Sequence, residues 1–171
     1  MTHPDLFRIA ADDRQAREAA ERLFATVRPQ LLEILPATSE ILHVGATAVP
    51  GCLTKGDLDI VVRVEREDFV AAEAALAAHF ARNPGSVRTA EFAAFEDEAS
   101  TPHLGIQLTV KGAALDVFHR FAAALRADPA LVKRYNALKR AYDGEPMDRY
   151  RAAKDGFVAD ALRSAPATPE D

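Results

Sequence analysis

"HVGATAVPGCLTKGDLDIVVRV", residues His43 to Val64, sets a glycine-bearing turn directly before two aspartates that alternate with apolar residues. The second half, DLDIVVRV, alternates and is rich in β-branched residues, so it reads as a strand. On a strand, residues i and i+2 share a face. Asp57 and Asp59 therefore project together, while Leu58 and Ile60 turn to the opposite side. Two carboxylates held that close repel, and each resists ionising unless a counter-charge is supplied. A divalent cation removes the conflict. Hard oxygen donors suit magnesium, with manganese as a substitute, and magnesium usually takes one or two carboxylates plus substrate phosphates. Upstream, Gly45, Gly51 and Gly56 let backbone N–H groups approach a phosphate, and Thr47 adds a hydroxyl. The expected site is thus one for a metal–triphosphate, with Asp57 and Asp59 as metal ligands and catalytic carboxylates. In the plainer alternative, Asp57 ends the turn and Asp59 pairs with an arginine.

Outward from this stretch, the apolar residues Ala16, Ala20, Leu23, Phe24, Val27, Leu31 and Ile34 recur at three and four. That spacing predicts an amphipathic helix from Asp12 to Leu35, capped by Asp12 or Asp13, bent at Pro29 and stopped by Pro36. EILHV reads as a short strand, and residues 68–80 as an alanine-rich helix. Between Asn83 and Pro102 the pattern weakens, and Glu91 to Ser100 (EFAAFEDEAS) reads most simply as a flexible acidic turn, with a strand entering it as the alternative. HLGIQLTVKG is a strand ended by Gly112. Three helical stretches follow: ALDVFHRFAAALRAD, PALVKRYNALKRAYDG and MDRYRAAKDGFVADALRS. The fold class expected is α+β, a mixed sheet flanked by helices with a helical C-terminal third. It forms a single domain over residues 1–171, with 1–12 and 165–171 as flexible ends.

The bulk properties narrow the function. A formal net charge of −5 argues against a general nucleic-acid-coating role. The single cysteine, Cys52, excludes an internal disulfide and suits a reducing compartment. No segment resembles a signal peptide or a membrane span, so a cytoplasmic location is expected.

The spacing of VG-A-T to D-L-D, twelve residues, is similar to the nucleotidyltransferase superfamily pattern, in which an apolar-Gly-Gly/Ser element precedes paired acids by about a dozen positions. More closely, HVGATAVPG…K…DI resembles the GrpB family, whose usual stretch runs approximately HIGSTAVPGLxxKPxIDI. FAAALRADPALVKRYNALKR and YRAAKDGFV are similar to that family's later blocks, so the likeness runs from about Ile41 to Val158. The resemblance implies a nucleotidyltransferase-type fold with a nucleotide site on the central sheet, and supplies no agreed substrate. It also marks departures. Ala46 stands where the family has serine, which removes a hydroxyl from the phosphate turn. Asp57 stands where the family commonly has an apolar residue, which restores the carboxylate pair. The N-terminal P-x-W of many relatives is missing.

Active members of the superfamily use a third carboxylate on a neighbouring strand. The strand expected to carry it offers Gln107 or Thr109, preceded by His103; Asp116 is a further candidate, or else simply lies in a helix's first turn. His43 is a ligand or a capping residue. Lys55 reaches phosphate or only solvates the turn. Tyr150 and Lys154 lie one helical turn apart and close over the phosphates, or the tyrosine packs while the lysine pairs with a surface acid. Arg134, Lys139, Arg140, Arg149 and Arg151 read as a solvated basic face. His119 reads as half-buried structure, and Cys52 as a neutral loop residue. The functional expectation is binding of a magnesium–nucleoside triphosphate and nucleotidyl transfer to an unknown small-molecule or protein hydroxyl. The rival is a nucleotide- or ligand-binding module without turnover.

Overall fold

The structure is a computed structural model that describes residues 5–165. Helix α1 spans Asp13–Ile34 and runs through Pro29, with the Asp12 carboxylate accepting the Gln15 N–H at 3.0 Å as its N-cap. Then come β1 (Glu40–Val44), a single 3₁₀ turn at Ala46–Ala48, β2 (Leu58–Val64), α2 (Phe69–His79), β3 (Ala81–Arg82), β4 (Phe92–Asp97) and β5 (Leu104–Val110). The chain closes with α3 (Phe118–Ala127), α4 (Pro129–Tyr142) and α5 (Met147–Ser164).

The five strands form one mixed sheet in the order β1-β2-β5-β4-β3, in which only β2 and β5 run parallel. The near-continuous apolar runs of β2 and β5 follow from burial on both faces. Leu58, Ile60, Val62 and Val64 with Leu104, Ile106, Leu108 and Val110 pack under α1 and α2. The alternate residues, Asp59, Val61 and Arg63, face the other side, where Val61 meets Val44 of β1 and Phe118 and Ala122 of α3. A second core joins the long turn to the C-terminal helices through Val49, Cys52, Phe121, Leu125, Leu131 and Tyr135. The α+β arrangement expected from the sequence is the one observed.

Differences lie in the segments without strong periodicity. The acidic stretch read as a flexible turn begins as strand β4, whose Phe92, Ala93, Ala94 and Phe95 are buried. Alternation fails to show there because both faces of the strand are covered. Residues 5–10 are tied down where a loose start was expected. Leu6 bridges to Pro146, Phe7 is buried at 1% exposure, and Ala10 N–H donates to the Thr54 carbonyl at 2.8 Å. The other expected flexible positions, 1–4 and 166–171, lie outside the described residues.

Leu115 is not helical, because residues 111–117 form turns that bring Asp116 back to the sheet. Buried Arg63 meets Asp116 in a two-pronged pair, Nε to Oδ1 and Nη2 to Oδ2, both at 2.8 Å, and also pairs with Glu40. The Gly112 N–H adds a bond to Asp116 at 2.8 Å. Burial pushes the Asp116 carboxyl up, but the arginine and the amide outweigh it and hold it below the usual range. Four residues along β2 put Arg63 about 13 Å from Asp59. Asp116 therefore belongs to the ion network of the fold, apart from the paired aspartates. Asp116→Ala, by removing the two-pronged carboxylate partner of buried Arg63, should cost about 3 kcal/mol of stability in urea unfolding, with no change in ligand affinity of the folded protein.

Candidate functional site

The ends of β1, β2, β4 and β5 bring two acidic rows together on the face opposite α1. Across the sheet, Val44 is in register with Asp59, Asp59 with Gly105, and Gly105 with Glu96. One step further out lie Asp57 and His103, since Leu58 N–H bonds the His103 carbonyl at 2.9 Å.

Asp59 occupies a cradle that needs glycine at Gly45 and is tight at Gly105. A Cβ on Gly45 would lie 2.6 Å from Asp59 Oδ2, and one on Gly105 would lie 3.1 Å from Oδ1. Gly45 also sits at φ 77°, a conformation that side-chain-bearing residues rarely adopt. Burial pushes the Asp59 carboxyl above its ordinary value of 3.8; Lys154 of α5 opposes this most, Asp57 reinforces it, and Lys55 and His103 oppose it more weakly. Asp57 is partly exposed, with Lys55 Nζ 3.1 Å and His103 Nδ1 3.6 Å from its Oδ2. The plainer expectation, an arginine on Asp59, is not what surrounds it. The arginine of this strand is spent on Asp116, and the cations near the aspartates are lysines.

The turn before β2 is held by the C-terminal helices. Asn136 accepts the Leu53 N–H at 2.8 Å and donates to the Gly51 carbonyl at 2.9 Å. Lys139 donates to the Leu53 carbonyl at 2.5 Å, and Arg126 to the Ala48 carbonyl at 3.1 Å. Lys139, read as part of a solvated basic face, is 2% exposed and lies over the Tyr135 ring at 4.3 Å. Burial brings its ammonium down to about 7, with Lys154 adding to the fall while Cys52 and Asp59 oppose it. The signal was present as a stripe at a spacing of four, Leu131, Tyr135 and Lys139, all buried on α4.

Each remaining residue singled out by sequence has a definite place. Ala46 packs against the second core rather than facing a ligand with a hydroxyl. Thr47 is 1% exposed, and its hydroxyl donates to the Asp57 carbonyl at 2.9 Å. Because that proton is committed, the 2.8 Å contact with His43 must be donated by His43 Nε2. Burial, with Arg126 adding to it, lowers His43 to about 4, so the ring that donates through Nε2 is neutral near pH 7. Thr47 and His43 thus brace the turn, which leaves backbone N–H groups and lysines for any phosphate. Tyr150 stacks on Phe7 at 3.7 Å between centroids, whereas the charge of Lys154 favours ionisation of Asp59. Gln107 lies on the Asp59 face in register with Val61, and its carbonyl oxygen is shielded from solvent without a hydrogen-bond partner. Glu96, missed by sequence because its strand was read as a turn, faces His103, whose Nε2 is 3.5 Å from Glu96 Oε2.

The GrpB protein family profile matches residues 11–164. The chain belongs to the GrpB family. A UPF0157 protein of Vibrio cholerae is 32% identical over 156 residues, covering 91% of this chain and 81% of the relative. Another, of Streptomyces coelicolor, is 30% identical over 168 residues, with 91% and 83% covered. Among solved structures, the conserved protein GrpB from Enterococcus faecalis superimposes with a TM-score of 0.65 at 20% identity, covering 85% of this chain and 93% of that one. A mutant of the Cid1 poly(U) polymerase bound to MgATP matches with a TM-score of 0.50 at 13% identity, covering 76% and 42%. At these identities the two structures establish the fold, which is nucleotidyltransferase-like. No helix among the described residues is long and apolar enough to cross a membrane.

A carboxyl raised by folding binds protons more readily in the native state, so as pH rises above 3.8 the ionising Asp59 draws stability out of the empty protein. Asp59→Asn removes that penalty. It should raise the melting temperature of the ligand-free protein at pH 7 by about 2–4 °C, equivalent to about 1 kcal/mol. Gly45→Ala should do the reverse, lowering stability by about 1–3 kcal/mol through its positive φ and its collision with Asp59. Thermal unfolding of the two variants beside the wild type checks both signs.

Proposed function

We propose that this GrpB-family protein binds a nucleoside triphosphate with magnesium at Asp57 and Asp59 and transfers the nucleotidyl group to a hydroxyl acceptor. The observation that carries this reading is the placement of Asp59. Its carboxylate is sunk between Gly45 and Gly105, beside a second carboxylate and under the influence of Lys154, at a cost in stability that a bound cation would return. Two hard oxygen donors of this kind fit a small divalent ion that brings phosphate oxygens as its other ligands. Bound there, magnesium would supply charge neutralisation at the triphosphate.

The chain's own residues account for the rest. Gly45, Ala46 and the following turn present backbone to the phosphates, and Lys55 and Lys154 offer point charges for their oxygens. Asn136 and Lys139 fix the turn from behind, so that this backbone is set before a ligand arrives. In the transfer, the acceptor oxygen bonds the α-phosphorus, the bridge to the β-phosphate breaks, and pyrophosphate leaves. The acceptor's proton passes to a carboxylate or to solvent. Likeness of fold to the Cid1 poly(U) polymerase, whose structure holds MgATP, supports the ligand class.

A second reading, a nucleotide-binding module without turnover, is favoured by Gln107, a neutral amide on β5 where superfamily enzymes carry a third carboxylate. Calorimetry with ATP and UTP tests the shared claim. Binding should need magnesium and weaken by about tenfold or more, a loss of at least ~1.4 kcal/mol, in both Asp57→Asn and Asp59→Asn. Equal affinity in the variants and without magnesium would discard both readings. Incubation with α-labelled triphosphate and cell extract then separates enzyme from module: labelled product with released pyrophosphate marks the former.

A further inference from the structure

Glu96, Glu98 and His103 each direct one donor atom into a common space, and those atoms lie within 4.8 Å of one another. They come from the end of β4, the turn after it and the residue before β5, so the sheet itself brings them together. The His103 ring lies between two acidic groups, with Nδ1 3.6 Å from Asp57 Oδ2 and Nε2 3.5 Å from Glu96 Oε2. His103 Nε2 and Glu96 Oε2, both able to ligate an ion, thus face each other at 3.5 Å. Donors about 2.1 Å from a tetrahedral ion stand roughly 3.4 Å apart, close to the 3.5 Å between His103 Nε2 and Glu96 Oε2. A carboxylate behind a ligating histidine is also the usual outer partner that fixes the ring's tautomer. Gln107 lies on the same face of the sheet as Asp59. The Gln107 carbonyl oxygen is shut off from solvent without a hydrogen-bond partner, and its amide nitrogen sits 3.5 Å from where a Gly105 Cβ would be, in the row joining Asp59 to Glu96.

We infer that Glu96, Glu98 and His103 form a second cation site, distinct from the aspartate pair, that takes a first-row transition ion through one imidazole and two carboxylates. A nitrogen donor shifts preference from magnesium toward zinc or manganese, and three protein ligands leave a position open to water or substrate. His103 links this site to Asp57, so occupancy of one bears on the other without a shared ligand.

The test uses the full chain without nucleotide, titrated calorimetrically with zinc and, in parallel, with manganese followed by its paramagnetic resonance signal. About one equivalent of either ion should bind and should persist in excess magnesium. His103→Ala and Glu98→Gln should weaken the affinity at least tenfold, and Asp57→Asn, through the outer partner of His103, by about 10- to 100-fold. Asp59→Asn should leave it within about threefold, which separates this site from the magnesium–nucleotide site. Glu98 is exposed, so its variant folds even where the histidine variant does not, and circular dichroism verifies this. The proposal is overturned by absence of saturable binding, which would mean that His103 serves only as an ion-pair bridge. Binding unchanged in Glu98→Gln and His103→Ala would overturn it equally.

Discussion

A carboxylate held between two backbones that cannot spare it a side chain is the constraint around which this molecule is organised. Asp59 fits because Gly45 lacks a Cβ atom that would collide with it, with Gly105 leaving close room on its other side, and it carries a charge that its surroundings resist. Most proteins would satisfy such a group with an arginine. Here the buried arginine of the same strand is committed to Asp116 and Glu40, about 13 Å away along β2. The aspartate is left beside Asp57, with only lysines and a histidine to offset the charge. Buried groups arranged against their own stability are characteristic of sites prepared for a ligand.

The two layers on either face of the sheet divide the labour accordingly. Helices α1 and α2 bury the aliphatic side of β2 and β5 and fix the strand register. Helices α3, α4 and α5 cover the other side; Arg126, Asn136 and Lys139 set the turn, and Lys154 offsets the charge of Asp59. The C-terminal third is therefore as much part of the site as the signature stretch. Its helices clamp the turn's carbonyls and amides from one side, while Thr47 and His43 brace it from within.

What could be read from the sequence follows from how local each signal is. The strand–turn–strand stretch announced itself because alternation, glycines and paired acids all lie within 22 residues, His43 to Val64. The long helices followed from periodicity and from the cap at Asp12. Strand β4 was legible only as an alternative to a turn, because residues buried on both faces lose their alternation, and Glu96 stayed off the candidate list. Lys139 looked like surface because lysine usually is, and only its spacing from Leu131 and Tyr135 betrayed burial. Thr47 offered a hydroxyl by type, yet three-dimensional packing committed that hydroxyl to Asp57 and His43. Such partners are dictated by contacts between distant segments, which no window of sequence displays.

The account stands on the ionisation of Asp59, and the most direct measurement is its titration followed by carboxyl-carbon nuclear magnetic resonance in protein labelled at aspartate. Without ligand, the Asp59 signal should titrate above the ordinary carboxylate value of 3.8; with magnesium and triphosphate present it should fall below that value as the ion stabilises the charge. A titration at the ordinary value that magnesium and nucleotide leave unmoved would contradict the central claim.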